Sequence, residues 1–398
     1  MAYPTVTIHA EKSANAVFRH PWIFSGAIAE KEPGAVHGSL ITLRDPKGRV
    51  LGTGTFSATS SIAVRLLDFG EATIDAAWLV SRFREADQRR RLMGYGPGTD
   101  TDTDGYRVVF GESDGMPGLV VDRYGDVLVV QIATAGMDAL RDAIIVALQD
   151  VFAPRAIVER SDLSARKDEK LGDVVQLLAG NDPGLVPFHE HGLAFQADAV
   201  RGQKTGFFLD QKDLRQAVRT LAKDRRVLNL FSYSGASGIA AMQGGAVRVH
   251  NVDASEPALE GCLSQARLNG IAEDAFTTEQ ADVFQWLGSQ EGSYGIVVAD
   301  PPALIKSAKD AEEGKKAYHF LNRAAIRLVE NGGILVTSSC SRFLPEEDFA
   351  FILRRASIQA GKRLSILKTI HQSSDHPLSI YFPEAEYLKS FVCEVRPL

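Results

Sequence analysis

Downstream of Phe195 the chain alternates short apolar runs with helical stretches at the spacing of βαβ units. A mostly parallel sheet covered by helices satisfies that alternation, and few other architectures do. Arg226–Leu230, Arg248–Val252, Tyr294–Ala299 and Gly333–Thr337 read as buried strands, with a further strand ending near Asp282. Open α/β sheets bind their ligands beyond the carboxyl ends of the strands, so the residues that follow each run carry the functional information.

After the first strand comes Phe231-Ser232-Tyr233-Ser234-Gly235, then Ala236, Ser237, Gly238 and a helix. Small residues at a helix N-terminus let a ligand approach the backbone closely. The glycine spacing differs from the Gly-x-Gly-x-x-Gly of dinucleotide binders. The second strand ends at Asp253, roughly twenty residues past the glycine turn, where a carboxylate can accept from both hydroxyls of a ribose. Asp282 stands at the end of the third, placed to reach an adenine amino group. Each carboxylate also has an ordinary reading as a cap or turn residue. Asp300-Pro301-Pro302 closes the fourth strand, and two prolines enforce a rigid, extended turn that holds the carboxylate at the sheet edge. The fifth runs into Ser338-Ser339-Cys340-Ser341-Arg342. A thiol there, among hydroxyls and near Arg342, which reads equally as a neighbouring cation or as a solvated side chain, suits a nucleophile that acts as thiolate. Alternatively it is a half-buried packing cysteine.

The rest of the chain narrows the class. Its 398 residues allow two or three domains. A net charge of -6 argues against a protein that coats nucleic acid non-specifically, while leaving room for a local basic face. Cys262, Cys340 and Cys393 are odd in number and far apart, which gives no disulfide framework and no metal site and points to a reducing cytoplasm. No leader-like start and no run of roughly 18 apolar residues appears, so no membrane association is expected. Cys262 and Cys393, each among apolar neighbours, are expected to pack.

Short strands punctuated by turns fill the first 70 residues (Thr5–Ile8, Ser39–Leu43, Ile62–Leu66), which predicts an all-β domain. A helix over Ile74–Met93 ends in Arg89-Arg90-Arg91, expected as a solvated C-terminus that suits the helix dipole, with RNA contact as the second reading. Residues 71–182 read as this helical connector plus a small central α+β domain, and 183–398 as the α/β domain.

In this setting the chain resembles class I S-adenosylmethionine-dependent methyltransferases, and more narrowly the RlmI-type family of 23S ribosomal RNA cytosine-5 methyltransferases. The motifs run in the family's order. Arg19-His20-Pro21-Trp22-Ile23-Phe24-Ser25-Gly26 looks like the opening of its PUA domain, and Gly111-Glu112-Ser113-Asp114-Gly115-Met116-Pro117-Gly118 like its central domain. Lys204-Thr205-Gly206-Phe207-Phe208-Leu209-Asp210-Gln211, Asp375-His376-Pro377 and Tyr387-Leu388-Lys389 also fit. The resemblance implies a Rossmann-like catalytic domain behind a PUA-like RNA-binding domain, S-adenosylmethionine as cofactor, and ribosomal RNA (23S or a large-subunit precursor) as partner. It places Phe231, Ser232, Tyr233, Ser234 and Gly235 around the methionine part of the cofactor. Asp253 with Ser255 would lie at the ribose, Asp282 with Val283 at the adenine, and Gln211 would close one side. Asp300 would face the base and Cys340 would be the nucleophile. A homodimer stays open as an assembly state.

The chemistry explains why these residue types are needed. Carbon 5 of cytosine is a poor nucleophile until a thiolate adds to carbon 6. A carboxylate on the N3/N4 edge then offsets charge building on the ring, acting as a general acid if it carries a proton. The target base must leave its stack, and Phe207, Phe208 and Tyr381 are candidate stacking residues, each with a core reading beside it. Arg19, His20, Trp22 and Lys47 offer a second grip on RNA, with Trp22 and Phe24 alternatively filling the β-domain core. Where many RNA cytosine-5 methyltransferases carry a second cysteine for product release, this chain has Ala303. The rival readings are methylation of a base amino or ring nitrogen, a non-catalytic RNA-binding assembly factor, and a nicotinamide oxidoreductase.

Overall fold

A computed structural model describes residues 3–202 and 204–398, so Met1 and Ala2 of the start, with Gln203, lie outside it. The chain divides into two compact units. One comprises Met1–Gly192, Gln196–Leu209 and Ser374–Ala385, the other Leu193–Phe195, Asp210–Ser373 and Glu386–Leu398.

The first unit holds two sheets. Six short strands, from Thr5–Ile8 to Ile62–Asp68, make one sheet around Val6, Ile8, Ile41, Leu43, Val64 and Leu66, in line with the all-β expectation. Five strands spanning Gly105–Phe110 to Val174–Gly180 make the second, which with helix Arg141–Phe152 gives the α+β part.

The predicted helix runs Ala76–Leu92, with Asp75 capping it by accepting from the Trp78 backbone N–H at 2.9 Å. It buries Leu79, Phe83 and Ala86, at the 3–4-residue spacing of a helix face, and continues that stripe with Arg90. The expectation of a solvated arginine end holds for Arg89 and Arg91, which are exposed, and is corrected for Arg90. Arg90 is 1% exposed and donates through Nη1 and Nη2 to both carboxylate oxygens of Asp114, at 2.6 and 2.7 Å. Arg89 also pairs with Asp114, and Arg91 with Asp87 at 2.7 Å. Burial left no other option for Arg90, since a guanidinium out of water must be matched by a carboxylate. Its Nη2 further donates to the Asp375 carbonyl at 2.8 Å, and Asp375 accepts the Arg107 backbone N–H at 2.9 Å, which ties residues 374–385 into this unit.

The second unit is the expected Rossmann-like α/β fold. Its strands are β1 (Arg226–Leu230), β2 (Arg248–Asp253), β3 (Phe276–Gln280), β4 (Tyr294–Ala299), β5 (Val329–Ser339), β6 (Lys362–Ile370) and β7 (Lys389–Pro397), in the order β3-β2-β1-β4-β5-β7-β6. The first five run parallel, and β7 enters antiparallel to both β5 and β6. Helices α1 (Lys212–Leu221), α2 (Ala236–Gln243), α3 (Glu256–Leu268), α4 (Val283–Ser289), α5 (Ala311–Leu328) and α6 (Glu346–Gln359) complete the unit. Leu228, Val297, Leu335, Leu321, Ile326, Phe349 and Phe391 lie in one core. Strand order reverses between β1 and β4, so the crevice at a topological switch point lies at their carboxyl ends. Among the described residues, no helix is long and apolar enough to cross a membrane.

Breaking the buried Arg90–Asp114 pair from one side leaves an unmatched charge in the interior. Arg90→Met is expected to cost about 3–5 kcal/mol in urea unfolding, whereas Arg84→Met, which removes an exposed pair with Asp150, costs less than about 1 kcal/mol. Equal losses would show that burial does not set the worth of these pairs.

Candidate active site

The turn after β1 is held in an unfavourable backbone conformation. Phe231 (φ 56°) and Tyr233 (φ 45°) are left-handed without being glycine, and Gly235 follows at φ 73°. Such residues persist where surrounding bonds over-determine them, and they concentrate at ligand sites. Here the Ser232 N–H donates to the Val252 carbonyl at 3.1 Å, and Gly235 N–H to the Ser232 carbonyl at 2.8 Å. The Tyr233 N–H donates to Asp253 Oδ2 at 2.9 Å. Gly235 has a steric reason as well as a conformational one, since a Cβ there would stand 2.2 Å from the Cys262 sulfur. The side-chain oxygen of Ser232 is buried with no partner among the described residues, a cost that a bound ligand relieves. Ser234 is half-buried on the same turn.

Asp253 ends β2, as expected, and its second oxygen accepts the Ser255 N–H at 2.9 Å. Ser255 caps α3, and Asp282 caps α4 by accepting the Gln285 N–H at 2.9 Å. The ordinary capping role read for Asp282 is therefore present in the structure. Asp282 remains exposed, while Val283 beside it is buried in the sheet's core. Asp300 follows β4, and Gln211 at the head of α1 donates from Nε2 to its Oδ2 at 2.6 Å. Gln211 is held in turn by its neighbour Asp210. The Asp210 carbonyl accepts from both the N–H and the hydroxyl of Ser373 (2.9 and 3.0 Å), and its carboxylate accepts from the Tyr387 hydroxyl.

Cys340 follows β5 directly and is half-buried. Ala299 pairs with Thr337, so Asp300 and Cys340 emerge at neighbouring strand ends. The serines around the thiol are wholly buried and fix the turn. Ser339 donates to the Tyr318 hydroxyl at 2.9 Å, and Tyr318 and Ser341 hydroxyls are also 2.9 Å apart. Ser341 accepts the Ile305 N–H at 3.1 Å, and Ser338 bonds Ser390 at 2.8 Å. Burial raises the Tyr318 pKa, so the phenol stays neutral.

Open readings of charge and packing are decided here. Arg342 points to solvent; the cation at this turn is Lys389, 7% exposed, donating from Nζ to the carbonyls of Ser341 at 2.9 Å and Leu344 at 2.7 Å. Phe207, a stacking candidate, is buried against Phe188 in the core of the first unit. Phe208 is half-buried with Lys204 Nζ 4.2 Å from its ring centre, and Tyr381 is half-exposed. Trp22 donates to Glu112 at 2.8 Å and packs edge-on to Phe382, while Phe24 is exposed and fills no core. Cys262 and Cys393 pack as expected, and burial pushes each thiol up to about 12.

Lys389 and Tyr318 carry structural weight that sequence reading did not assign them. Their signals were present. A lysine opens the apolar strand Lys389-Ser390-Phe391-Val392-Cys393, and Tyr318 with Asn322 lies on the buried stripe of α5 with Leu321 and Ala325. A polar group on an apolar face needs a partner inside. Thr337 supplies Asn322's, donating at 2.7 Å.

Comparison with known proteins bears on the chain as a whole. A family model described as S-adenosylmethionine-dependent methyltransferase matches residues 130–364, and a PUA-like domain model matches 6–69. Ribosomal RNA large subunit methyltransferase I of Klebsiella pneumoniae (strain 342) is 36% identical, covering 99% of this chain and 98% of its own. The protein of the same name from Serratia proteamaculans is 37% identical over 95% and 96%. Among solved structures, the SMU.776 methyltransferase in complex with SAH shares the fold, with a TM-score of 0.83 and 20% identity over 99% of this chain and all of that one.

Gly235→Ala tests how tightly the turn is built. Left-handed backbone at a non-glycine costs about 1–2 kcal/mol and overpacking about 1–3 kcal/mol, so a loss of about 2–5 kcal/mol is expected in urea unfolding. Adding Cys262→Ala should return part of it. A double variant no better than the sum of the singles would place the strain elsewhere.

Proposed function

The chain belongs to the S-adenosylmethionine-dependent methyltransferase family, with the ribosomal RNA large subunit methyltransferase I proteins as relatives over nearly its whole length, and we propose that it forms 5-methylcytosine in large-subunit (23S) ribosomal RNA through a covalent adduct on Cys340. The observation that carries the cysteine chemistry is the contrast among the three thiols. Cys340 alone stands at the carboxyl edge of the sheet, next to the Asp300 strand end, while Cys262 and Cys393 are sealed in the core with thiols held up to about 12.

The residues present fit the cofactor. The turn at Phe231–Gly235 is left-handed at Phe231, Tyr233 and Gly235 and carries a buried Ser232 hydroxyl with no partner among the described residues, and Asp253 stands at the end of β2, where ribose hydroxyls are held in folds of this kind. Phe231 to Gly235 would hold the methionine part, Asp253 and Ser255 the ribose, Asp282 and Val283 the adenine, with Gln211 closing one side. When bound, S-adenosylmethionine supplies an electrophilic methyl group.

The protein's own work lies on the base. The Cys340 thiolate adds to carbon 6, and its electron pair becomes the carbon–sulfur bond while the ring's pair shifts toward carbon 5. Asp300 holds the N3/N4 edge, where the displaced charge gathers, and Gln211 orients that carboxylate through its 2.6 Å bond. After carbon 5 is methylated, a water molecule acting as base takes the carbon 5 proton, the C–H pair re-forms the ring double bond, and the carbon–sulfur bond breaks to return its pair to the Cys340 thiolate. The rigid serine–tyrosine network limits the sulfur's excursion, which addition at a single ring carbon requires. The PUA-like domain supplies a second hold on RNA, and the cytoplasm, where thiols stay reduced, is the proposed location.

Mapping 5-methylcytosine in large-subunit ribosomal RNA from a strain lacking this chain tests the reading. One methylated cytosine is expected to disappear and to return with the wild-type gene. Cys340→Ala is expected to lower the rate by at least about 10³-fold while still binding S-adenosylmethionine in calorimetry. An unchanged map would overturn the substrate, and a fully active Cys340→Ala enzyme the mechanism.

A further inference from the structure

Lys389 is a lysine with almost no exposed surface at the turn of a proposed nucleophile. It faces Ser339 directly across the β5–β7 ladder, so the strand pairing itself brings the side chain to the turn that follows β5. Nζ donates to the Ser341 and Leu344 carbonyls, one on each side of Arg342 and Phe343. Those two bonds hold the chain segment that leaves Cys340. An ammonium buried this far must be matched by negative charge or oriented dipoles.

We propose that Lys389 is the positioning residue for Cys340: its buried ammonium clamps the turn through Ser341 and Leu344 and stabilises the thiolate that adds to the base. The proposal rests on the cysteine chemistry proposed above and adds what prepares that cysteine. The surrounding charges are consistent with it. Burial presses the Lys389 pKa down, and Cys340, Glu386 and Glu346 press it back up. Coulomb attraction is mutual, so whatever Cys340 thiolate contributes to the ammonium, the ammonium returns to the thiolate. Glu346 and Glu386 are themselves engaged by His371, at 3.4 and 2.8 Å. Tyr318 on α5 faces the same turn as a neutral phenol, Asp300 lies at the adjacent strand end, and Arg342 is in solvent. Lys389 is thus the one buried cation the structure sets at this turn among the described residues.

The test titrates the thiol in the full-length protein, without RNA or cofactor. Iodoacetamide labelling of Cys340 is followed by peptide mass spectrometry from pH 5.5 to 10. An ordinary thiol titrates near 8.5, and the expected midpoint lies at least about one unit lower. Lys389→Met is expected to raise the midpoint by about one unit or more, a tenfold fall in thiolate fraction below the midpoint. Lys389→Arg should restore most of it, and Arg342→Ala should leave it in place. A wild-type midpoint at or above the ordinary value overturns the proposal, as does an unchanged midpoint in folded Lys389→Met. Should Lys389→Met not fold, a low wild-type midpoint that Lys389→Arg preserves supports the proposal and one that Lys389→Arg loses overturns it. The outcome is separable from the proposed reaction, because an active Cys340→Ala enzyme would remove the nucleophile while leaving this titration intact.

Discussion

The antiparallel ladder between β5 and β7 is the constraint on which the catalytic edge depends. Seven residue pairs, from Gly333–Val395 to Ser339–Lys389, fix where β5 stops and what lies beside its last residue. A one-residue slip would turn every side chain of β7 to the other face. Phe391 and Cys393 would leave the core, and Lys389 would leave the Cys340 turn. Packing therefore enforces the register, and the register places the lysine. The same hydrophobic burial that stabilises the sheet thus fixes which side chains stand at its edge.

A second constraint acts at β1. The left-handed residues Phe231 and Tyr233 hold their conformation because β2 supplies acceptors at the right height, through the Val252 carbonyl and Asp253 carboxylate. Asp253 thereby has a structural duty alongside its proposed one. Its oxygens fix the Tyr233 and Ser255 N–H groups, so the carboxylate that would meet a ribose is already oriented. Preorganisation of this kind reduces the ordering that binding would otherwise require.

Much of this was legible in the chain. Strand-helix alternation gave the sheet because apolar runs of five or six residues bounded by turns have few other solutions. The placement of Asp253, Asp300 and Cys340 at strand ends was legible because each directly follows or closes an apolar run. Local pattern failed where a long-range partner decided the outcome. Arg90 reads as a solvated helix end until Asp114, twenty-four residues away, draws it inside. Arg342, adjacent in sequence, left open whether it lies by the thiol or in solvent; it is exposed, and Lys389, forty-eight residues from Ser341, is the cation bonded to this turn. Phe207 gives no local sign of whether it stacks or packs, and Phe188 settles it.

The Cys340 turn also shows why the site carries so many buried polar groups. Thr337, Ser338, Ser339, Ser341, Tyr318, Asn322, Ser390 and Lys389 lie almost fully out of water. Apolar residues of like volume would pack there with less desolvation, since each hydrogen bond returns only about 1 kcal/mol net. Apolar packing, however, tolerates small shifts, whereas a bonded network has one arrangement in which every donor is met. Ser339 to Tyr318, Tyr318 to Ser341, Ser341 to Ile305 and Lys389 to Ser341 form such a set. For the proposed role of Cys340, addition at one ring carbon, fixed position matters more than added stability. The polar shell thus accepts a cost in desolvation in exchange for a single sulfur position.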